Sequence, residues 1–361
     1  MKIGILVAVL GEHDAVATDA REMGAALVRL GHDVRYFATA AHGNATAIAS
    51  PDAIDTFLDG PQDLLIYHFA FGWPPGVEAL RRVSCRRIVR YHNVTPAEFF
   101  APWSDDYAAA CRAGRAEIAV LAALGCELYL GDSPFNVEDF LASGVPSERT
   151  AVLAPFNRLD RLIATPADLD LLDELRGAPA VWLAVGRLAP NKGHLDLFAA
   201  FAEYLDHCEP DARLLVVGSE DARLARYTEA LHVRRRALDL EAHVRFLDNV
   251  DDGRLKAAYL GADALISLSA HEGFCVPLVE AMALGVPVIA LDRGAQTWTV
   301  GDAGLVWDAA DPALIAASVA RLRTDAHLRG ALRERGFERV AQAFAPAVLE
   351  ARLADLLGAL P

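Results

Sequence analysis

Four charged side chains in the C-terminal half combine residue type and spacing in a way that could do chemistry. Residues 186–193 read GRLAPNKG and set Arg187 and Lys192 on a loop bounded by Gly186 and Gly193. Two cations held by a glycine-flanked loop suit a diphosphate, whose charge must be met by fixed donors. Lys192 carries extra weight because Lys2, Lys192 and Lys256 are the only lysines of the chain, the other basic residues being arginines. Residues 267–285 read SLSAHEGFCVPLVEAMALG. Here a strand ends near Ser269, a polar loop follows with Gly273, and a short helix opens near Pro277, a favourable first helical residue, and closes at Gly285. That order brings backbone N–H groups and a helix N-terminus to one sheet edge, a setting for a phosphate-bearing ligand. Glu272 and Glu280 offer only acceptors as carboxylates and so suit pairs of sugar hydroxyls. Standing alone, each of these four residues would be ordinary surface charge; the strand–loop–helix context sets them apart.

The elements that must position them alternate. Strand-like runs at 1–10, 33–38, 63–69, 87–92 and 127–131 are separated by segments of helical period, and a first helix is expected from Asp19 to Leu30, stopped by Gly31. Five more strands follow at 180–185, 213–217, 244–247, 264–269 and 286–291. The expectation is an α/β chain with two facing Rossmann-like domains, an interdomain cleft and a helical C-terminal tail. Residues 1–156 form the first domain, 157–179 the connection, 180–335 the second domain, and 336–361 C-terminal helices packing back towards the first. Neither GxxxxGK[ST] nor a GxGxxG after the first strand occurs, which weighs against a P-loop and a dinucleotide site.

Composition sets outer bounds. The 361 residues are 53% hydrophobic and 23% charged, which is globular, and the formal charge of −15 leaves no broad basic surface for nucleic acid. Cys85, Cys111, Cys126, Cys208 and Cys275 contain no CxxC, which indicates neither a disulfide framework nor a zinc knuckle and fits a reducing cytoplasm. The apolar start reads as a buried strand rather than a signal peptide, and 276–291 is too short and interrupted to span a bilayer. The triplets at Asn44 and Asn93 match a glycosylation acceptor by chance.

The Gly186–Lys192 loop and the Glu272…Glu280 pair, in that order, resemble retaining glycosyltransferases of the GT-B fold, family GT4, and the likeness extends over nearly the whole chain. The resemblance implies that Arg187 and Lys192 hold a donor diphosphate, and that Glu272 with Gly273, Phe274 and Cys275 contacts the transferred sugar. It further implies that Glu280 binds the nucleotide ribose, that Gly11 approaches the phosphates, and that residues around Leu247 and Val250 meet the base. His92 matches the polar residue near the reaction centre. His68, Asn93 and His271 are further candidates for the cleft. The versions around Tyr91 to Pro96 and His271 to Cys275 look closest to enzymes building bacterial surface polysaccharides of the O-antigen or lipopolysaccharide type. Two positions depart from the pattern: Cys275 stands where many relatives carry Gly, and Trp298 where a Glu is common.

The resulting expectation is a hexosyltransferase of the EC 2.4 class, cytoplasmic or at the inner face of the membrane, moving a sugar with retention to a hydroxyl of a saccharide or lipid-linked acceptor. Its substrate is a nucleoside diphosphate sugar of the GDP, UDP, dTDP or ADP type, with a lean towards GDP-mannose, and no tightly bound cofactor or metal is called for. Arg187, Lys192 and the helix N-terminus supply the positive potential that a departing diphosphate needs. The departing phosphate oxygen takes the acceptor proton in front-face attack, and Glu272 and His92 orient the sugar. The rival readings are a GT-B phosphorylase or epimerase, a non-catalytic nucleotide-sugar binding module, and a nicotinamide dehydrogenase. A reactive thiol is the alternative role for Cys275. Arg81, Arg82, Arg86, Arg87 and Arg90 form a basic cluster, read as a solvated face or as a contact for anionic lipid.

Overall fold

The computed structural model describes residues 1–11, 14–42 and 47–361. The triplet beginning at Asn44 lies outside the described residues. The chain divides into two compact units. Unit 1 comprises Met1–Ala97, Ala109–Arg158 and Phe344–Pro361; unit 2 comprises Glu98–Ala108 and Leu159–Ala343.

Unit 1 contains strands β1 (Lys2–Val7), β2 (Val9–Leu10), β3 (Asp33–Phe37), β4 (Ala40–Ala41), β5 (Ile48–Ala49), β6 (Leu64–Phe69), β7 (Arg86–Tyr91), β8 (Leu128–Gly131) and β9 (Thr150–Val152). Seven of them form a parallel sheet in the order β5-β3-β1-β6-β7-β8-β9, and β2 pairs with β4. β1 and β6 run as nearly unbroken apolar segments because helices cover both faces of a parallel sheet. Each large aliphatic side chain so buried contributes about 1.5–3 kcal/mol. The first helix begins at Ala15, ahead of the expected Asp19, because the Asp14 carboxylate caps it by accepting from the Val16 N–H at 3.0 Å. The last helix, Pro346–Gly358, packs within unit 1, where Glu350 pairs with Arg29 at 2.6 Å.

Unit 2 contains β10 (Val181–Val185), β11 (Arg213–Val217), β12 (Val244–Leu247), β13 (Ala264–Ser267), β14 (Val288–Leu291) and β15 (Gly304–Trp307), parallel in the order β12-β11-β10-β13-β14-β15. β15 had no counterpart in the sequence reading: four half-buried residues at a sheet edge carry too little apolar pattern. Residues 157–179, expected as a connection, fold into helices Leu159–Ala164 and Leu169–Arg176, the latter capped by Asp168. Trp182 anchors the middle of β10, fully buried against Phe201 and Tyr204. The strand order reverses between β10 and β13, so the loops leaving these neighbours share one carboxyl edge, where open parallel sheets bind ligands.

Candidate functional site

The loop after β10 is shaped by three glycines. Gly186 has φ +145°, its N–H donates to the Val217 carbonyl at 2.9 Å, and a Cβ on Gly218 would collide with the Gly186 carbonyl. A single 3-10 turn, Pro190–Lys192, follows. Gly193, at φ +70°, then opens helix His194–His207 with no room for a Cβ against the Leu268 carbonyl. The turn is tied to the loop after β13. The Asn191 side-chain amide donates to the His271 carbonyl at 3.0 Å, and the Ala270 N–H to the Asn191 carbonyl at 2.8 Å.

This bracing brings Lys192 and Glu272 together: Nζ donates to Oε1 at 2.5 Å. Burial alone would lower the Lys192 pKa, but the adjacent Glu272 carboxylate outweighs it and holds the ammonium above its usual range. Arg187, half exposed, donates from Nη1 to Tyr107 Oη at 2.8 Å and lies 3.8 Å from Asp221. Cys275 takes the left-handed conformation at φ +73° and caps helix Val276–Ala283, with a proline in its first turn. Burial first, then the Glu272 carboxylate, push the Cys275 thiol up to about 12. That value keeps it protonated and argues against the reactive-cysteine alternative. Glu280 accepts from Tyr259 Oη at 2.7 Å, which fixes its carboxylate beside the same loop. Leu247, buried, ends β12 and accepts from the Gly218 N–H at 2.9 Å; Val250 follows ahead of helix Asp252–Gly261.

Sequence reasoning missed the layer beneath the acidic loop. The fully buried Gln296 accepts from Ser267 Oγ at 2.6 Å and donates to the Ser269 carbonyl at 2.8 Å. Thr299 Oγ1 donates to the Phe274 carbonyl at 2.6 Å. Gly294 lets the Glu272 backbone approach where any Cβ would clash, and the Ala295 N–H bonds the Glu272 carbonyl at 2.9 Å. The signal visible in the sequence was slight: Gln296, Thr297 and Thr299 are polar, but Asp292, Arg293 and Asp302 flank them and make the segment read as an ordinary surface loop. Trp298 packs edge-on to Phe274 at 6.0 Å and beneath the Arg339 guanidinium at 5.6 Å.

The candidates of unit 1 gather around a buried arginine. Arg90 is fully buried, with Nε 3.1 Å from Asp19 and Nη2 2.9 Å from Asp132, which removes it from the solvated basic cluster expected of Arg81 to Arg90. Arg81 and Arg82 lie in the last turn of helix Pro74–Arg82, where their charge meets the helix dipole. His92 Nδ1 is 3.1 Å from Asp132 and its Nε2 is 3.0 Å from His68 Nδ1. Because a carboxylate accepts, Nδ1 of His92 carries the proton and Nε2 receives one from His68. Both ring nitrogens of His92 are therefore engaged inside the network. Asn93 follows at φ +71°, with its buried Oδ1 lacking a hydrogen-bond partner among the described residues. Burial lowers the His68 pKa to about 4, keeping that ring neutral. Burial would raise the Asp19 carboxyl, but the Arg90 guanidinium and His68 outweigh it and hold it well below the usual range. Asp19, His68 and His92 bring ligand atoms within 4.8 Å of one another, a donor set for a transition metal, although Arg90 already matches the Asp19 charge. The Gly11 carbonyl, after the first strand, accepts from Arg21 at 2.7 Å. No helix among the described residues is long and apolar enough to cross a membrane.

Parts of the chain are similar to known proteins. Residues 174–339 match the family model "Glycosyl transferases group 1" and include both loops. Phosphatidyl-myo-inositol mannosyltransferase of Mycolicibacterium smegmatis is 34% identical over 184 residues, 49% of this chain and 45% of that protein. D-inositol 3-phosphate glycosyltransferase of Corynebacterium efficiens is 35% identical over 148 residues, 40% of this chain and 35% of that protein. The matches thus span under half the length of these curated relatives. Among solved structures, Anabaena HepE in complex with UDP superposes with a TM-score of 0.78 at 17% identity, covering 100% of both chains. WaaG, a glycosyltransferase involved in lipopolysaccharide biosynthesis, superposes with a TM-score of 0.72 at 17% identity, covering 99% of this chain and 100% of that one. Residues 174–339 therefore carry the likeness to glycosyl transferases group 1, in a chain with the GT-B fold.

Proposed function

We propose that the protein is a retaining glycosyltransferase of the GT4 type, which moves a sugar from a nucleoside diphosphate to an acceptor hydroxyl. The observation that carries this reading is the 2.5 Å Lys192–Glu272 pair, built from loops on neighbouring strands at the sheet's reversal point. In the proposed donor complex Lys192 and Arg187 neutralise the diphosphate. The ammonium then exchanges the Glu272 carboxylate for phosphate oxygens, and Glu272 turns its acceptors to the sugar hydroxyls. Glu280, steadied by Tyr259, accepts from the ribose. As the glycosidic bond breaks, charge grows on the leaving phosphate, where fixed cations in a partly buried site stabilise it without reorganisation. That phosphate oxygen takes the acceptor proton, so no protein base is required, and two side-chain cations supply the potential without calling on a metal.

The mannosyl and inositol-phosphate names among the relatives make GDP-mannose the first donor to test and polyol phosphates a first acceptor set, beside saccharide and lipid-linked saccharide acceptors. The test is calorimetry with GDP, UDP, dTDP and ADP, followed by product analysis with the matching sugar donor and these acceptors. Binding of one diphosphate together with an axial-to-axial or equatorial-to-equatorial product by NMR is the expected result. A protein that binds none of the four refutes the proposal.

A further inference from the structure

Residues Glu98–Ala108 group with unit 2, apart from the stretches Met1–Ala97 and Ala109–Arg158 on either side of them in sequence. Neither donor motif contains this segment, yet its aromatic side chains meet residues around both. Phe99 lies 5.9 Å from the His271 ring. Trp103 packs edge-on to Tyr227 at 5.1 Å. Tyr107 is held from two sides, stacked on Phe100 at 4.3 Å and facing the Arg223 guanidinium at 4.5 Å. Its hydroxyl accepts from Arg187 Nη1 at 2.8 Å.

Arg187 needs such a partner. Its side chain is 51% exposed, and a long exposed guanidinium gives up substantial rotamer freedom when it must meet a ligand in one geometry. Asp221 lies 3.8 Å from the same nitrogen but is engaged by Arg223 at 2.6 and 3.0 Å, so its carboxylate is committed elsewhere. The Tyr107 hydroxyl, on a ring clamped by Phe100 and Arg223, gives the guanidinium a fixed point.

We propose that Tyr107 is a positioning residue for the donor diphosphate: its hydroxyl holds the Arg187 guanidinium ready for phosphate, making the aromatic segment 98–108 part of the donor site. This rests on the reading of Arg187 given under Proposed function. Pre-organisation through Arg187 acts on the diphosphate and only weakly on a ligand lacking the second phosphate, which gives a readout that a purely structural role would not move.

The test is calorimetry with GDP, UDP, dTDP and ADP and the matching monophosphates on the full chain, for wild type, Tyr107→Phe, Arg187→Ala and the double variant. Phenylalanine keeps both stacks, so the thermal midpoint of Tyr107→Phe is expected to match wild type. Loss of one hydrogen bond to a charged group at a half-exposed site should weaken whichever diphosphate the wild type binds by about fivefold. The matching monophosphate should change by less than about twofold, and the Tyr107→Phe effect should vanish in the Arg187→Ala background. Wild-type diphosphate affinity in Tyr107→Phe, equal weakening of both nucleotides, or an undiminished effect without Arg187 overturns the inference alone. Failure of the wild type to bind any of the four diphosphates overturns the donor reading, and the inference with it.

Discussion

Replacing Lys192 by methionine removes the charge while keeping most of the side-chain stem, so its consequences can be worked from the pair it forms. Nζ sits 2.5 Å from Glu272 Oε1, with the two side chains 21% and 9% exposed. Stripping the partner from a fully buried carboxylate costs about 3–5 kcal/mol; with solvent reaching part of this pair, about 2 kcal/mol of unit 2 stability is the expected loss. Turnover suffers separately. A fixed cation facing charge that grows on the leaving phosphate contributes about 3 kcal/mol to the transition state, so a hundredfold or greater fall in turnover is expected.

Adding Glu272→Gln separates the two effects. The double variant no longer buries an unmatched carboxylate, and its stability by chemical denaturation should return to within about 1 kcal/mol of wild type. Under the proposed roles its turnover should stay low, because the cation is still missing and the carboxylate assigned to the sugar has gone as well. The assay is release of nucleoside diphosphate from the sugar donor, followed beside urea denaturation curves. A folded Lys192→Met protein that turns over within tenfold of wild type would refute the role assigned to Lys192. A double variant as unstable as the single one would refute the electrostatic account of the pair.

Other expectations follow from unit 1 and from the acidic loop. Arg90→Leu leaves Asp19 and Asp132 buried without their cation, so about 3–5 kcal/mol of stability should be lost in urea titration; a loss below about 1 kcal/mol would show that the network carries no net charge burden. Burial keeps the His68 pKa near 4 in the folded state, below its unfolded value. The unfolded chain therefore takes up a proton first as pH falls: the His68 contribution is complete above about pH 6.5 and is lost on acidification towards pH 4, by about 3 kcal/mol at most. His68→Gln should flatten that part of the stability–pH curve, and a curve of unchanged slope contradicts the assignment. With its thiol pushed up to about 12, Cys275 should resist iodoacetamide at pH 8 in the native protein while exposed Cys208 reacts, as followed by peptide mass spectrometry; equal labelling of the two would contradict the burial argument.

The two charged loops of unit 2 were legible because the signals that shape them are local. Glycines mark where the backbone must turn or approach closely, a proline starts the helix, and charged residues stand at fixed offsets from both; each signal lies within a dozen residues of the side chain it positions. Gly186 and Gly193 do have positive φ, and the helix does open behind Cys275 with a proline in its first turn. The support beneath was less legible because it arrives from elsewhere in the chain. Gln296 and Thr299 reach under the loop from beyond the next strand, and nothing in their own neighbourhood announces which carbonyls they meet.

Arg90 shows the opposite difficulty. In sequence it stands among four other arginines and reads as one more solvated cation, whereas in the sheet it is the next-to-last residue of β7, whose alternate side chains go to opposite faces. Its register beside His68 turns it towards Asp19, contributed by the first helix. A parallel strand flanked on both sides can bury a charge only if distant elements supply its counter-charges, and Asp19 and Asp132 come from two different ones. Composition cannot reveal such a site, since the matching carboxylates are separated from it by tens of residues; strand order can. That is why the polar centre of unit 1 follows from topology, while the charged loops of unit 2 could be read from a short stretch of sequence.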